Sequence, residues 1–132
     1  MRKSFLIVFL VLTCLWVSAQ TSPTVDVYYF HITKRCNTCL TIEDLVNKTI
    51  QGNHAEALKN GSLKLHVLNC ELPENKAISE KYLAYGSTLA ITRTIGGKES
   101  SEDITGWAFQ KAGAPEIFMS ELSTKITEAL KP

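Results

Sequence analysis

The sequence predicts an α/β fold, a central mixed sheet of about four strands flanked by helices. Three observations carry this expectation. Apolar residues recur with a period of two in some stretches and of about 3.6 in others, and the two kinds alternate along the chain. A double glycine, Gly96-Gly97, separates two strand-like runs and marks a hairpin. The pair Cys36-Asn37-Thr38-Cys39 stands where the first strand-like run gives way to the first helical one.

The N-terminus reads as a segment apart. Met1-Arg2-Lys3 is a short positive head, and Phe5 to Val17 is an unbroken apolar run. Val17 and Ala19 then supply the two small residues of a cleavage site. This is the three-part pattern of a secretory signal peptide over residues 1–19, with cleavage expected after Ala19. The apolar run is shorter than the roughly 20 residues of a spanning helix, so no stable membrane span is expected after cleavage. An uncleaved anchor is the alternative. Cys14 could serve as a lipoprotein acceptor, but Leu15-Trp16-Val17 continue the apolar run past it, and a cysteine within the signal's apolar core is the plainer reading. Residues 20–24 form a short polar linker containing Pro23, and residues 25–132 are long enough for one domain with its own core.

Within that domain, Val25 to Ile32 is rich in β-branched and aromatic residues and reads as a buried strand. Ile42, Leu45, Val46 and Ile50 then share one face of a helix, which Gly52-Asn53 punctuates. A further helical stretch, His54 to Lys59, stops at the turn signal Asn60-Gly61. Ser62 to Cys70 places Leu63, Leu65 and Val67 on one face of a second strand, with His66 on the other. Pro73 can open a helix that Gly86 closes. Ser87 to Ile95 reads as a third strand, and a short edge strand around Glu99 to Ile104 pairs back across Gly96-Gly97. Pro115 opens a closing helix with Phe118, Leu122, Ile126, Ala129 and Leu130 on its apolar face. The order is β-α-β-α-β-β-α. Strands joined through helices imply right-handed parallel crossovers, and the hairpin adds an antiparallel edge. With the cysteine pair at the first strand–helix junction, this is the element order of a thioredoxin-like fold.

Composition narrows the function classes. The chain holds 14 Lys and Arg against 13 Asp and Glu. Loss of Arg2 and Lys3 leaves 12 against 13, a net charge of −1. A near-neutral domain has no electrostatic footprint for nucleic acid. No glycine-rich phosphate loop is present, so no nucleotide or flavin cofactor is expected. Tyr28, Tyr29, Phe30, Tyr82, Trp107 and Phe109 read as core. Asn47-Lys48-Thr49 and Asn60-Gly61-Ser62 match the glycosylation acceptor pattern, which matters only in a eukaryotic secretory route.

Three cysteines remain after cleavage: Cys36, Cys39 and Cys70. An odd number in an exported chain argues against a disulfide scaffold and suits one reactive pair plus one further thiol. Two thiols three residues apart in a helical first turn face the same side and can close a disulfide. Their ring is too small to remove much chain entropy, which makes a structural staple a poor explanation. Cys36 would sit at the helix start, where unpaired N–H groups and the positive end of the dipole stabilise a thiolate. Lys34 and Arg35 add positive charge nearby, or else only solubilise the loop. Cys36 is therefore the expected nucleophile, and Cys39 the resolving thiol. As an enzyme the chain would be a thiol–disulfide oxidoreductase with an unidentified protein thiol or disulfide as partner.

The alternative is a soft-metal or metalloid site for Cu(I), Zn or As(III) through Cys36, Cys39 and Cys70, with one of His31, His54 or His66 as a fourth ligand. Cys70 ends the second strand, on the sheet edge that carries the Cys36 loop, so the three thiols could converge. Against this, there is no second CxxC and no histidine pair at ligand spacing. His66 reads as a surface histidine, and Cys70 as a small buried hydrophobe. An inert pair on an interaction module is a further alternative.

"VDVYYFHITKRCNTC", "LNCELPENKAISEKYLAYGSTL" and "ITGWAFQKAGAPEIFMSELSTKITEAL" resemble the ArsF-type nitrophenyl compound nitroreductase subunit family of small exported bacterial proteins. The likeness spans essentially the whole chain after residue 19. It implies a thiol electron carrier serving a partner that reduces aromatic nitro groups, in the periplasm or outside the cell. The wider thioredoxin superfamily is similar as well. It usually places a cis-proline before the third strand, facing the cysteine pair. Here Ser87 or Thr88 stands at that place, and Asn37-Thr38 replaces the Gly-Pro of thioredoxin. A small hydroxyl residue there leaves the thiols open to a third ligand.

Overall fold

The computed structural model describes residues 21–132; the expected signal peptide, its cleavage after Ala19 and Cys14 lie outside the described residues. The strands are β1 (Thr24–His31), β2 (Leu63–Asn69), β3 (Thr88–Ile95) and β4 (Lys98–Asp103). The helices are α1 (Asn37–Asn53), α2 (Ala55–Asn60), α3 (Lys76–Lys81), α4 (Thr105–Lys111) and α5 (Pro115–Leu130). The sheet order is β2-β1-β3-β4, with β1 and β2 parallel and β3 antiparallel to both its neighbours. This is a thioredoxin-like arrangement, a four-stranded mixed sheet flanked by helices.

The parallel pairing follows from the crossover: α1 and α2 carry the chain back before β2 begins. The turn into β2 uses Gly61 at φ +81°, a left-handed cap that a side chain would strain. Gly96 and Gly97 both take positive φ, +56° and +77°, as the two-residue hairpin between β3 and β4 demands.

The alternation in β1 divides the sheet's two faces. Val25, Val27 and Tyr29 point into a core completed by Ile42, Val46 and Ile50 from α1 and by Phe118, Leu122 and Ile126 from α5. Each such side chain removed from water contributes about 1.5–3 kcal/mol. Tyr28 and Phe30 point the other way and form an aromatic layer with His66 and Tyr82.

Four features depart from expectation. The helix opened by Pro73 is a 3₁₀ turn, Pro73–Asn75, followed by α3, and it ends well before Gly86. Ala84 N–H donates to Ser79 C=O at 2.8 Å and Leu83 N–H to Glu80 C=O at 3.1 Å. These are the two hydrogen bonds of a Schellman cap, with Leu83 at φ +51° in the place glycine usually takes. Helix α4 was not expected. Buried Ala108 and the buried residues at its two caps, Ile104 and Ala112, recur every four positions, but the preceding strand obscures so short a pattern. Phe109, expected in the core, sits on the outer side of α4 and is exposed. His66 is no free surface histidine: it is half-buried, stacked on Tyr28 at 4.4 Å between ring centres, and its Nε2 lies 2.7 Å from Asp26 Oδ1.

A candidate redox disulfide and its surroundings

Strand β1 ends at His31, and the loop that follows delivers Cys36 to the position just before α1. Cys36 has extended backbone angles, φ −81° and ψ 160°, and acts as the helix N-cap. Its Sγ accepts the Cys39 N–H at 3.0 Å, one of the four donors that a helix start leaves without an internal partner. Serine or aspartate usually fills this role; here a sulfur does. Cys36 and Cys39 are disulfide-bonded, with Cα atoms 5.1 Å apart, a separation natural to a disulfide. Cys36 is exposed and Cys39 buried. The outer sulfur is open to an incoming thiolate, and the inner one is shielded.

Polar groups pack around the inner cysteine. The buried Tyr29 hydroxyl donates to Cys39 C=O at 2.7 Å. Burial raises the pKa of this phenol, and the Ser87 hydroxyl beside it acts in the opposite direction. Arg35 bridges His31 and Glu43, donating through one guanidinium nitrogen to His31 Nε2 and through the other to the Glu43 carboxylate. Because an arginine only donates, His31 Nε2 must accept, so its Nδ1–H donates to Ile32 C=O at 3.0 Å. Glu43 follows Cys39 by four residues, one turn further along the same helix face.

These contacts refine the expected roles. The charge of Arg35 is compensated by Glu43 rather than left free for Cys36, whereas Lys34 is exposed. Ser87 lies on the cysteine side of the sheet, beside Tyr29. Thr88 pairs with Phe30 and faces the opposite side, where it lines a pocket with Tyr82 and Leu83. No peptide bond among the described residues is cis. Tyr29 and Glu43 were not singled out from sequence as site residues. The signals were the parity of Tyr29 with Val25 and Val27 and the four-residue spacing of Glu43 from Cys39.

Cys70 does not join the pair. Its N–H donates to His31 C=O at 2.8 Å, so its backbone is close to the site. Its side chain follows the parity of His66 and Leu68 and enters the α3 face, away from α1. Among the described residues, no three His, Cys, Asp or Glu side chains come together as a metal site. The convergence of three thiols that the metal alternative required is not seen, because strand parity puts Cys70 on the other face of the sheet from Cys36 and Cys39. Cys70 is also only half-buried, not the enclosed hydrophobe expected.

A cleft of about 310 Å³ adjoins the cysteine pair, lined by Thr38 and Thr41 of α1 and by Phe109, Ala112 and Gly113 at the end of α4. Phe109 gives this cleft an exposed apolar wall. Among the described residues, no helix is long and apolar enough to cross a membrane.

No family model matches the chain, and no curated protein matches it. Among solved structures it is similar to one described as the structure of a malarial protein, at 18% identity and a TM-score of 0.41, covering 67% of this chain and 94% of the other. A likeness at this level carries no argument for fold or function, and both are argued from the geometry above.

Proposed function

We propose that this chain is an exported thiol–disulfide exchange protein that passes two electrons between its Cys36–Cys39 pair and a protein partner. The single observation that carries the reading is the disulfide at the start of α1, with the exposed Cys36 sulfur held on the Cys39 N–H.

In the reducing direction for the pair, a partner thiolate attacks Cys36 Sγ and breaks the Cys36–Cys39 bond. Cys39 leaves as a thiolate and takes up a proton. A mixed disulfide now joins the partner to Cys36. The partner's second thiolate attacks its own sulfur in that bond and releases Cys36 as a thiolate, which the helix N-terminus stabilises. The partner's dithiol has become a disulfide, and the pair has become a dithiol. The opposite direction runs the same steps backwards. Tyr29 steadies Cys39 through its carbonyl, and Arg35, next to Cys36 in the chain, is held in a charge pair with Glu43.

The apparent signal peptide over residues 1–19 supports an exported location. The resemblance to the nitroreductase subunit family supports a role as electron carrier for a system that reduces aromatic nitro groups. Trapping tests the reading. With Cys39→Ser the resolving step is lost, so a mixed disulfide should accumulate on Cys36, while Cys36→Ser should trap none. Equal trapping by the two variants would sink the assignment of roles.

A further inference from the structure

Cys70 lines a pocket of about 300 Å³ between the end of β2 and α3, on the face of the sheet opposite the disulfide. Ser79 of α3 lines the same pocket. It is 4% exposed, and its hydroxyl is the one buried side-chain polar atom among the described residues without a hydrogen-bond partner. An unpaired buried hydroxyl is costly, and native structures rarely keep one without a use for it. The rim carries both signs of charge: Lys76 Nζ lies 3.9 Å from Glu80 Oε1, and Glu71 stands beside Cys70. Tyr85, 76% exposed, completes the wall. The volume is at the lower end of small-ligand pockets, about 300–1,000 Å³.

A thiol, an orphaned hydroxyl and a rim of mixed charge together suit a small zwitterion that carries sulfur. We propose that this pocket binds an amino-acid-type disulfide of the cystine class and retains one half of it as a mixed disulfide on Cys70. The Ser79 hydroxyl pairs with the ligand's polar head, and Lys76 and the two glutamates face its carboxylate and ammonium. The step is an exchange. Cys70 gives its proton to solvent, and its thiolate attacks one ligand sulfur. The ligand's S–S bond breaks as the new one forms, and the other half leaves as a thiolate and is protonated. Cys70 is oxidised, and the departing half is reduced.

Burial pushes the Cys70 thiol up, against a lowering backbone hydrogen bond, and Glu71 raises it further. Little thiolate is therefore present at neutral pH, and adduct formation accelerates as pH rises. The same shift favours the mixed disulfide once made, because the released Cys70 would not be stabilised as an anion.

The test uses the full-length protein without reductant, so that Cys36–Cys39 stays oxidised. It is incubated with cystine or with 2-hydroxyethyl disulfide, which carries no charge, and the Cys70 peptide is followed by mass spectrometry. Rates are normalised to each disulfide's exchange with free cysteine. Cystine should react about tenfold faster, the effect of one hydrogen bond to a charged group. Ser79→Ala should abolish that preference and leave the 2-hydroxyethyl disulfide rate unchanged. Equal normalised rates in the unsubstituted protein, a preference that survives Ser79→Ala, or no adduct on Cys70 each overturn the proposal. The readout is confined to Cys70, so failure here leaves the reading of Cys36 and Cys39 standing.

Discussion

Replacing Cys36 by serine and by alanine separates the cap from the disulfide. Both variants lose the S–S bond, which closes a loop of only four residues, Cys36 to Cys39. So short a ring removes little chain entropy, and whatever its loss costs is the same for both. They differ in one contact. Serine keeps an oxygen that can accept the Cys39 N–H, now bonded to Cys36 Sγ at 3.0 Å, whereas alanine leaves that donor to water. N-cap serine exceeds alanine by about 1 kcal/mol. Guanidinium unfolding under reductant should therefore show Cys36→Ala less stable than Cys36→Ser by about 1 kcal/mol, with equal slopes against denaturant. A Cys36→Ala variant as stable as Cys36→Ser would mean that α1 does not use this side chain as its cap, and the argument for thiolate stabilisation would go with it. In the reduced native protein the same N–H faces a negative sulfur, and a charge-assisted bond is roughly twice as strong. Alkylation by iodoacetamide should accordingly show Cys36 ionising below the ~8.5 of free cysteine, ahead of Cys39.

Other outcomes follow from single contacts. Leu83 holds φ +51° in the α3 cap, a conformation that costs a side chain about 1–2 kcal/mol; Leu83→Gly should raise the unfolding free energy by about 1 kcal/mol, and a loss would contradict the cap. His54 is buried, its Nε2 3.0 Å from Ser123 Oγ, and burial lowers its pKa from 6.5. Its contribution is complete above the unfolded value and is lost as pH falls through the folded one, so His54→Gln should flatten the stability profile on the acid side of 6.5, as read by denaturant unfolding at several pH values. Unchanged pH dependence would remove His54 from that account. Glu43→Gln frees the charge of Arg35 beside the cysteines, and the pair should become more oxidising by roughly 10–20 mV, the equivalent of about 0.5–1 kcal/mol. A shift in the opposite direction would mean that Glu43 does not restrain Arg35.

Much of the architecture was readable from the periodicity. The alternation in β1 and β2 and the apolar stripes of α1 and α5 are long enough to declare themselves. The hairpin glycines do so because few other residues accept their backbone angles. Short elements resisted. α3 stops at Lys81, where Leu83 and not a glycine supplies the left-handed cap, and nothing in a leucine announces that. α4 is a seven-residue helix whose one buried residue is an alanine, Ala108. Within the site, the disulfide pair and its strand–helix setting were plain, since spacing alone brings Cys36 and Cys39 together. The surroundings depended on tertiary placement. Sequence placed Arg35 near Cys36, but only the fold shows Glu43 and His31 drawing it in. Strand parity, followed one residue past the end of β2, would have put Cys70 on the far face and separated it from the other thiols.

The central claim is that Cys36 and Cys39 form one reversible two-electron couple. Equilibrating the protein in graded glutathione or dithiothreitol buffers, and counting blocked thiols by mass after acid quenching, measures it directly. The account predicts that both cysteines change state together at one midpoint, with a tenfold change in the ratio for about 30 mV, while Cys70 follows a separate course. A pair that stays oxidised in the most reducing buffer, or two cysteines that change state at different potentials, would contradict it.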